Sequence, residues 1–211
     1  MPDVVFIGPP GSGKSTVGTA LRLAHLAEHI STGQLIRDYM RQMVGQQNSM
    51  AESLASGGMV SDDEVTALLV HQMESTKSPR IILDGYPRTV SQIALLESIM
   101  KRFNRELSAV VQFNLPDEVS VLRVCGRYTC RTCGRSYHTV FKPAVDNTCE
   151  CGETQFIQRP YDIKEIVEAR LHRYHLMTEP IADIYRERGI LKVIDATLPI
   201  DRVINEVLDV I

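Results

Sequence analysis

Short runs of apolar residues alternate with stretches that carry apolar side chains every three or four positions. Residues 4–7 form a continuous apolar run, the pattern of a strand buried on both faces. Runs at 81–83 (ending at Asp84), 110–115 and 191–194 predict three more strands. Helical spacing is predicted over 15–26, 62–73, 91–103, 117–127 and 163–188. Val17, Leu21, Ala24 and His25 mark the first of these, and Pro180 is expected to kink or break the last. Strands alternating with helices predict a parallel sheet with helices on both faces.

Two stretches interrupt the alternation. Residues 31–60 have helical character, contribute no strand, and contain Gly57-Gly58. Residues 127–159 are rich in turn residues and hold four of the five cysteines. The expected organisation is a core of 1–30, 61–126 and 160–211 with insertions at 31–60 and 127–159. Insertions of this size in a compact core usually carry function.

The chain has 211 residues, enough for a sizeable core, and a net charge of −3. A slightly acidic chain attracts neither nucleic acid nor an anionic membrane surface. No apolar run is long enough to span a bilayer, and the first residues lack a signal-peptide pattern. The expectation is a cytoplasmic protein with reduced cysteines and neither nucleic-acid nor membrane partners.

The first predicted strand runs into Gly8-Pro9-Pro10-Gly11-Ser12-Gly13-Lys14-Ser15, a full match to G-x-x-x-x-G-K-[ST] between a strand and a helix. Glycines let backbone N–H groups curl around phosphate oxygens, and the following helix adds its positive end. Lys14 supplies charge at the outer phosphates, and Ser15 is suited to Mg²⁺. A glycine-rich turn without a ligand is the weaker alternative. Asp84 ends a strand at the same edge of the sheet, where a carboxylate can hold Mg²⁺ or its waters. The alternative for Asp84 is a turn or cap residue.

With Thr16 added to the loop, then Ser31-Thr32-Gly33, Asp84-Gly85-Tyr86-Pro87-Arg88-Thr89, Gln92, Arg123, Gly126-Arg127, Tyr137-His138, Arg159 and Arg170, the chain resembles the adenylate kinase family over its whole length. It is similar to the long form with a cysteine-bearing lid. The resemblance implies an α/β P-loop fold of three layers around a five-stranded parallel sheet. It also implies a helical AMP-binding insertion and a small zinc-ribbon-like lid. The implied reaction is ATP + AMP ⇌ 2 ADP with Mg²⁺, carried out by a monomer. Carried over to this chain, Gly8 to Thr16, Arg123, Arg127, Tyr137, His138 and Pro199 would bind ATP. Thr32, Gly33, Arg37, Met59, Val60, Gly85, Arg88, Gln92, Arg159 and Arg170 would bind AMP. Lys14, Asp84, Arg88, Arg123, Arg127, Arg159 and Arg170 would be catalytic.

Physical reasoning agrees with the arginines. Phosphoryl transfer needs positioning and positive charge around the moving group rather than covalent chemistry. The guanidinium fork grips phosphate oxygens in pairs and keeps its charge. The four-residue recurrence of Arg123, Arg127, Arg131 and Arg135 alone would read as a solvated helix face, and Arg131 and Arg135 are given no role. No general base is needed, because an AMP phosphate oxygen is already ionised. Two departures stand out. Gln34 replaces the Asp of many relatives, and Tyr161 replaces the first of two acidic residues after Arg159. Kinases for UMP or CMP are the competing enzyme reading. An ATP-switched zinc-ribbon binding module is the competing non-enzyme reading, opposed by the charge balance and the lack of an aromatic stacking run.

Cys130-x-x-Cys133-Gly134 has the spacing of a metal knuckle, and Cys149-x-Cys151 follows with one residue between thiols instead of two. Four thiolates suit a closed, structural Zn²⁺ site. A metal-free cluster and a redox pair are the other readings. Cys125 is read as a packed residue. His25, His29, His71, His172 and His175 are read as surface or packing residues.

Overall fold

Alternation along β1 (Asp3–Ile7) builds both layers of the core at once. Val4 and Phe6 face one layer, Val5 and Ile7 the other, and all four are buried. The structure, a computed structural model, describes residues 2–42 and 60–211. β1 sits at the centre of a five-stranded sheet with β2 (Glu28–Ser31), β3 (Ile81–Asp84), β4 (Leu107–Asn114) and β8 (Leu191–Asp195), in the order β2-β3-β1-β4-β8. Every pairing is parallel. β5 (Arg127–Cys130), β6 (Ser136–His138) and β7 (Phe156–Ile157) form a separate antiparallel sheet in the order β6-β5-β7.

Helices cover both faces of the parallel sheet. On one side α2 (Thr32–Gln42), α3 (Asp62–Ser75), α4 (Ser91–Arg102) and α7 (Glu179–Glu187) pack Ile36, Leu69, Leu96 and Tyr185 against Val5, Ile7 and Leu83. On the other, α1 (Lys14–Leu23) and α8 (Ile200–Leu208) pack Val17, Leu21, Val203 and Val207 against Val4, Phe6 and Phe113. α5 (Asp117–Cys125) and α6 (Lys164–Arg173) meet through Val124, Val167 and Leu171. Among the described residues no helix is long and apolar enough to cross a membrane.

The four strands read from the pattern are present, with ends shifted by up to three residues. The fifth, β2, had no sequence signal. It is a four-residue edge strand in which only Ile30 is buried, so it lacks the apolar run of a central strand. The helix expected over 117–127 stops at Cys125, and Arg127 opens β5 instead. The helix expected over 163–188 is two helices joined by a π-turn, Tyr174–Thr178. Pro180 lies in the first turn of α7, where its missing N–H costs nothing. The start of α3 is fixed by a capping box in which Ser61 and Glu64 bond each other's backbone N–H.

Register sets up the site. Phe6 and Ser31 both lie opposite Asp84, so β1, β2 and β3 deliver the glycine-rich loop, Thr32 and Asp84 to one sheet edge. This is the carboxyl edge where open α/β sheets bind ligands.

Candidate active site

The loop from Gly8 to Ser15 depends on its glycines locally. Gly13, the N-cap of α1, has φ 91°, a left-handed conformation costly for other residues. The Ser120 hydroxyl, on α5, donates to Pro10 O at 2.5 Å and pins the loop to the lid-bearing helix. Lys14 Nζ donates to Gly8 O at 2.7 Å, Pro9 O at 2.8 Å and Ser12 Oγ at 2.9 Å, which holds the ammonium inside the loop. Burial lowers the Lys14 pKa from 10.5 to about 8; Asp84 pulls it up, while Arg88, Arg170 and Arg127 push it down.

The Ser15 hydroxyl donates to Asp84 Oδ2, so the two groups expected at Mg²⁺ are adjacent. His29 Nε2 lies 3.3 Å from the same oxygen, with its side chain only 7% exposed. Burial would raise the Asp84 pKa. The His29 hydrogen bond, the Lys14 charge and the Ser15 hydroxyl outweigh it and bring the carboxyl from 3.8 down to about 2. His29 is therefore part of the site, not a mere surface or packing residue. Its one signal in the sequence is its place two residues before Ser31-Thr32-Gly33.

Facing the loop is a second grip. Thr32 Oγ1 donates to Gly85 O at 2.9 Å, and Arg88 Nε donates to the same carbonyl at 2.8 Å. Gly85 has φ 81°, and a Cβ there would stand 3.0 Å from both Thr32 Oγ1 and Arg88 Nη2. A Cβ on Gly33 would lie 3.3 Å from Arg37 Nη1 and 3.9 Å from Arg88 Nη2, so the two guanidiniums converge above that glycine. Desolvation in the cleft lowers the pKa of both arginines, and Arg37 lowers that of Arg88 further, against the pull of Asp84. Gln92 Oε1 accepts from Arg88 N at 2.6 Å and its Nε2 donates to Asp62 Oδ1 at 2.6 Å, which leaves one lone pair and one N–H for a ligand. Val60 is buried in the neighbouring core cluster, and Met59 lies outside the described residues.

Arginines of the lid and of α6 complete the cluster. Arg127 grips Asp162 through Nε at 2.8 Å and Nη2 at 2.6 Å. Arg170 Nη1 is buried without a hydrogen-bond partner and lies 3.8 Å from Asp162 Oδ1. Arg159 and Arg170 are both lowered to about 10, by burial first and then by neighbouring arginines, Arg127 among them. A half-buried, mutually repelling set of donors is built to receive an anion.

Arg123 Nη1 donates to Ala196 O at 2.8 Å, and its guanidinium lies 5.7 Å from the Phe141 ring centre. That tie holds α5 to the 196–200 segment, where exposed Pro199 precedes Ile200 beside Gly13. His138 Nδ1 accepts from the backbone N–H of Val140 and Phe141, so Nε2 is the protonated nitrogen and donates to Leu122 O at 3.2 Å. The Tyr137 side chain is not brought to the phosphate cleft. It packs in the lid core with Tyr128 and Phe156, and its hydroxyl serves Cys149 Sγ at 3.3 Å. Arg131 and Arg135 bond Gln155 and Glu150 within the lid.

The sulfurs of Cys130, Cys133, Cys149 and Cys151 all lie within 4.8 Å of one another. Cys130–Cys151 is 3.6 Å and Cys133–Cys149 is 3.5 Å. A tetrahedron with Zn–S bonds of about 2.3 Å has edges of about 3.8 Å. The donor set therefore fits Zn²⁺, and the shortened second pair does not prevent convergence. Cys125 packs apart, beside the α5–α6 contact.

Two phosphate grips face each other across a P-loop sheet edge, the arrangement of a nucleotide phosphotransferase. The profile of the adenylate kinase family matches residues 6–190. Proteins named adenylate kinase from Thermotoga maritima and Thermotoga petrophila are 38% and 37% identical, each covering 100% of this chain and 97% of the relative. One from Novosphingobium aromaticivorans is 36% identical over 95% of this chain and 94% of its own. The chain belongs to the adenylate kinase family, whose members use Mg²⁺-ATP to convert ATP and AMP reversibly to two ADP.

Proposed function

We propose that this chain moves the terminal phosphoryl group of Mg²⁺-ATP to AMP in a cleft formed by the core, α2 and the 127–159 lid. The observation that carries the assignment is the convergence of Arg37 and Arg88 over Gly33, opposite the Lys14 loop. One grip suits the donor triphosphate, and the other presents an acceptor phosphate in line with it. Backbone N–H groups of the loop and Lys14 hold the donor phosphates, with the Arg123–Phe141–His138 corner and Pro199 beside its base. Thr32, Gly33, Gly85, Val60 and Gln92 bound the acceptor nucleoside. Arg88 and Arg37 orient its phosphate. Ser15 and Asp84 would receive the Mg²⁺ that travels with ATP and neutralises charge developing on the phosphoryl oxygens.

Charge supports this reading. Among the described residues, Lys14, Arg37, Arg88, Arg127, Arg159 and Arg170 face Asp84 and Asp162, while Asp38 beside Arg37 is paired with Arg41, so four positive charges are in excess. ATP and AMP together carry about six negative charges, and one divalent ion reduces that to about four. The transferred group passes between two anions, so arginines from the lid (Arg127, Arg159) and from the core (Arg88, Arg170) stabilise it from several sides. Closure of the 127–159 lid excludes water that would otherwise take the phosphoryl group. Zn²⁺ on the four cysteines would hold the lid folded and take no part in the chemistry.

The test is a coupled assay for ADP formation from ATP with AMP, CMP, UMP or GMP. AMP is expected to be strongly preferred; equal turnover with CMP or UMP would reassign the acceptor. Arg88→Ala is expected to lower kcat by at least about 100-fold with unchanged circular dichroism. Near-normal turnover in that folded variant removes Arg88 from the catalytic set.

A further inference from the structure

The Gln34 head group is committed on both sides. Its Oε1 accepts from Arg37 Nη2 at 2.8 Å and from Arg37 Nε at 3.3 Å. Its Nε2 donates to Asp38 Oδ1 at 2.8 Å, and that oxygen also accepts from Arg41 Nη1 at 3.1 Å. The positions are i, i+3, i+4 and i+7 on α2, so all four side chains share one helix face. The amide orientation is fixed by its partners, because a guanidinium only donates and a carboxylate only accepts. Both lone pairs of Oε1 are used by Arg37, which leaves no acceptor for a magnesium-bound water.

We infer that Gln34 is a positioning residue for the acceptor site: it holds the Nε edge of Arg37 so that Nη1 projects over Gly33 beside Arg88. The inference rests on the assignment of Arg37 to the AMP phosphate. A planar amide meets both demands at once. A carboxylate at 34 would satisfy Arg37 but sit one helical turn from Asp38 with like charge. An apolar residue would satisfy neither neighbour and free a long, rotamer-rich side chain. Gln34 is therefore matched to Asp38 and serves the acceptor arginine rather than the metal.

The test compares Gln34→Leu with the double variant Gln34→Glu/Asp38→Asn, which restores an acceptor for Arg37 and a donor–acceptor pair across the turn. Gln34 is partly exposed, so both chains are expected to fold, checked by thermal melting. Gln34→Leu is expected to raise KM for AMP about tenfold, the worth of a hydrogen bond to a charged group. KM for ATP, kcat and the Mg²⁺ half-saturation should stay within about twofold of wild type. The double variant should recover KM for AMP to within about threefold. Unchanged KM for AMP in Gln34→Leu, an equal rise in KM for ATP, a shifted Mg²⁺ requirement, or no recovery in the double variant would each overturn the role. A wild-type chain that forms no ADP from ATP and AMP refutes instead the reaction assigned above.

Discussion

Asp162 joins the lid to the core through Arg127, whose Nε and Nη2 reach its two oxygens at 2.8 and 2.6 Å. The carboxylate is fully buried, and Arg127 is the first residue of the lid sheet. Removing one partner of such a pair leaves the other charge uncompensated. Asp162→Ala is expected to destabilise the chain by about 3–5 kcal/mol, read as a lower urea midpoint at unchanged slope. A midpoint within error of wild type would mean that Arg127 is held by other groups.

Lys14 makes activity and stability move oppositely with pH. Its folded pKa is about 8, against 10.5 for an unperturbed lysine. Between these values the unfolded chain holds a proton that the native chain has released. Native stability contributed by this group therefore rises with pH across the window and is least below pH 8. The phosphate grip needs the charged ammonium, so kcat/KM for ATP should fall as pH rises through about 8. Bound phosphates restore the proton, so kcat should hold to higher pH. Lys14→Met should abolish this stability slope. A kcat/KM profile flat to pH 10 would remove Lys14 from the titrating site.

The donor half of the site was legible because its requirements are written locally. A loop that curls around phosphate needs glycines and a lysine at fixed spacing between a strand and a helix, and the Gly8 to Ser15 segment supplies both. Asp84 was legible as the end of a buried run. The facing grip was legible only through resemblance, because Arg37, Arg88, Arg127, Arg159 and Arg170 converge by tertiary folding and no spacing reveals that. β2 escaped because an edge strand buries one side chain, Ile30. His29 escaped with it, since only the pairing of β2 on β3 brings its ring to Asp84. Ser120 reads as an ordinary polar helix residue until the fold sets it against Pro10. Tyr137 was assigned to ATP through the resemblance, but its ring stacks with Tyr128 and meets Phe156 edge-on. It fills the lid core.

The lid should depend on its metal more than the rest of the chain does. Its own apolar cluster comprises Cys130, Tyr137 and Cys149, with Tyr128, Ala144 and Phe156 at the margin. Four thiols this close cannot all ionise without a cation. Purified protein is expected to carry about one zinc per chain, and a strong chelator should lower Tm while far-UV circular dichroism at 25 °C stays near native. Cys133→Ser should reproduce the loss. Less than about half an equivalent of metal in carefully prepared protein counts against the four-thiolate site.

Gly18 tests whether His29 is held in place for Asp84. An exposed helical glycine replaced by alanine normally gains up to about 1 kcal/mol from helix propensity. Gly18 is buried within α1, and a Cβ there would overlap the His29 ring. The ring cannot yield cheaply, because it is packed under the sheet edge and hydrogen-bonded to Asp84. Gly18→Ala is therefore expected to destabilise by about 1–3 kcal/mol, the cost of overpacking. Displacement of His29 also removes one of the groups that hold the Asp84 pKa near 2, so activity should decline on the acid side at higher pH than in wild type. Truncating the ring in Gly18→Ala/His29→Ala relieves the overlap, and the double variant should be more stable than the sum of the two single changes. Gly18→Ala as stable as wild type, with an unshifted acid limb, would show that His29 does not constrain Asp84.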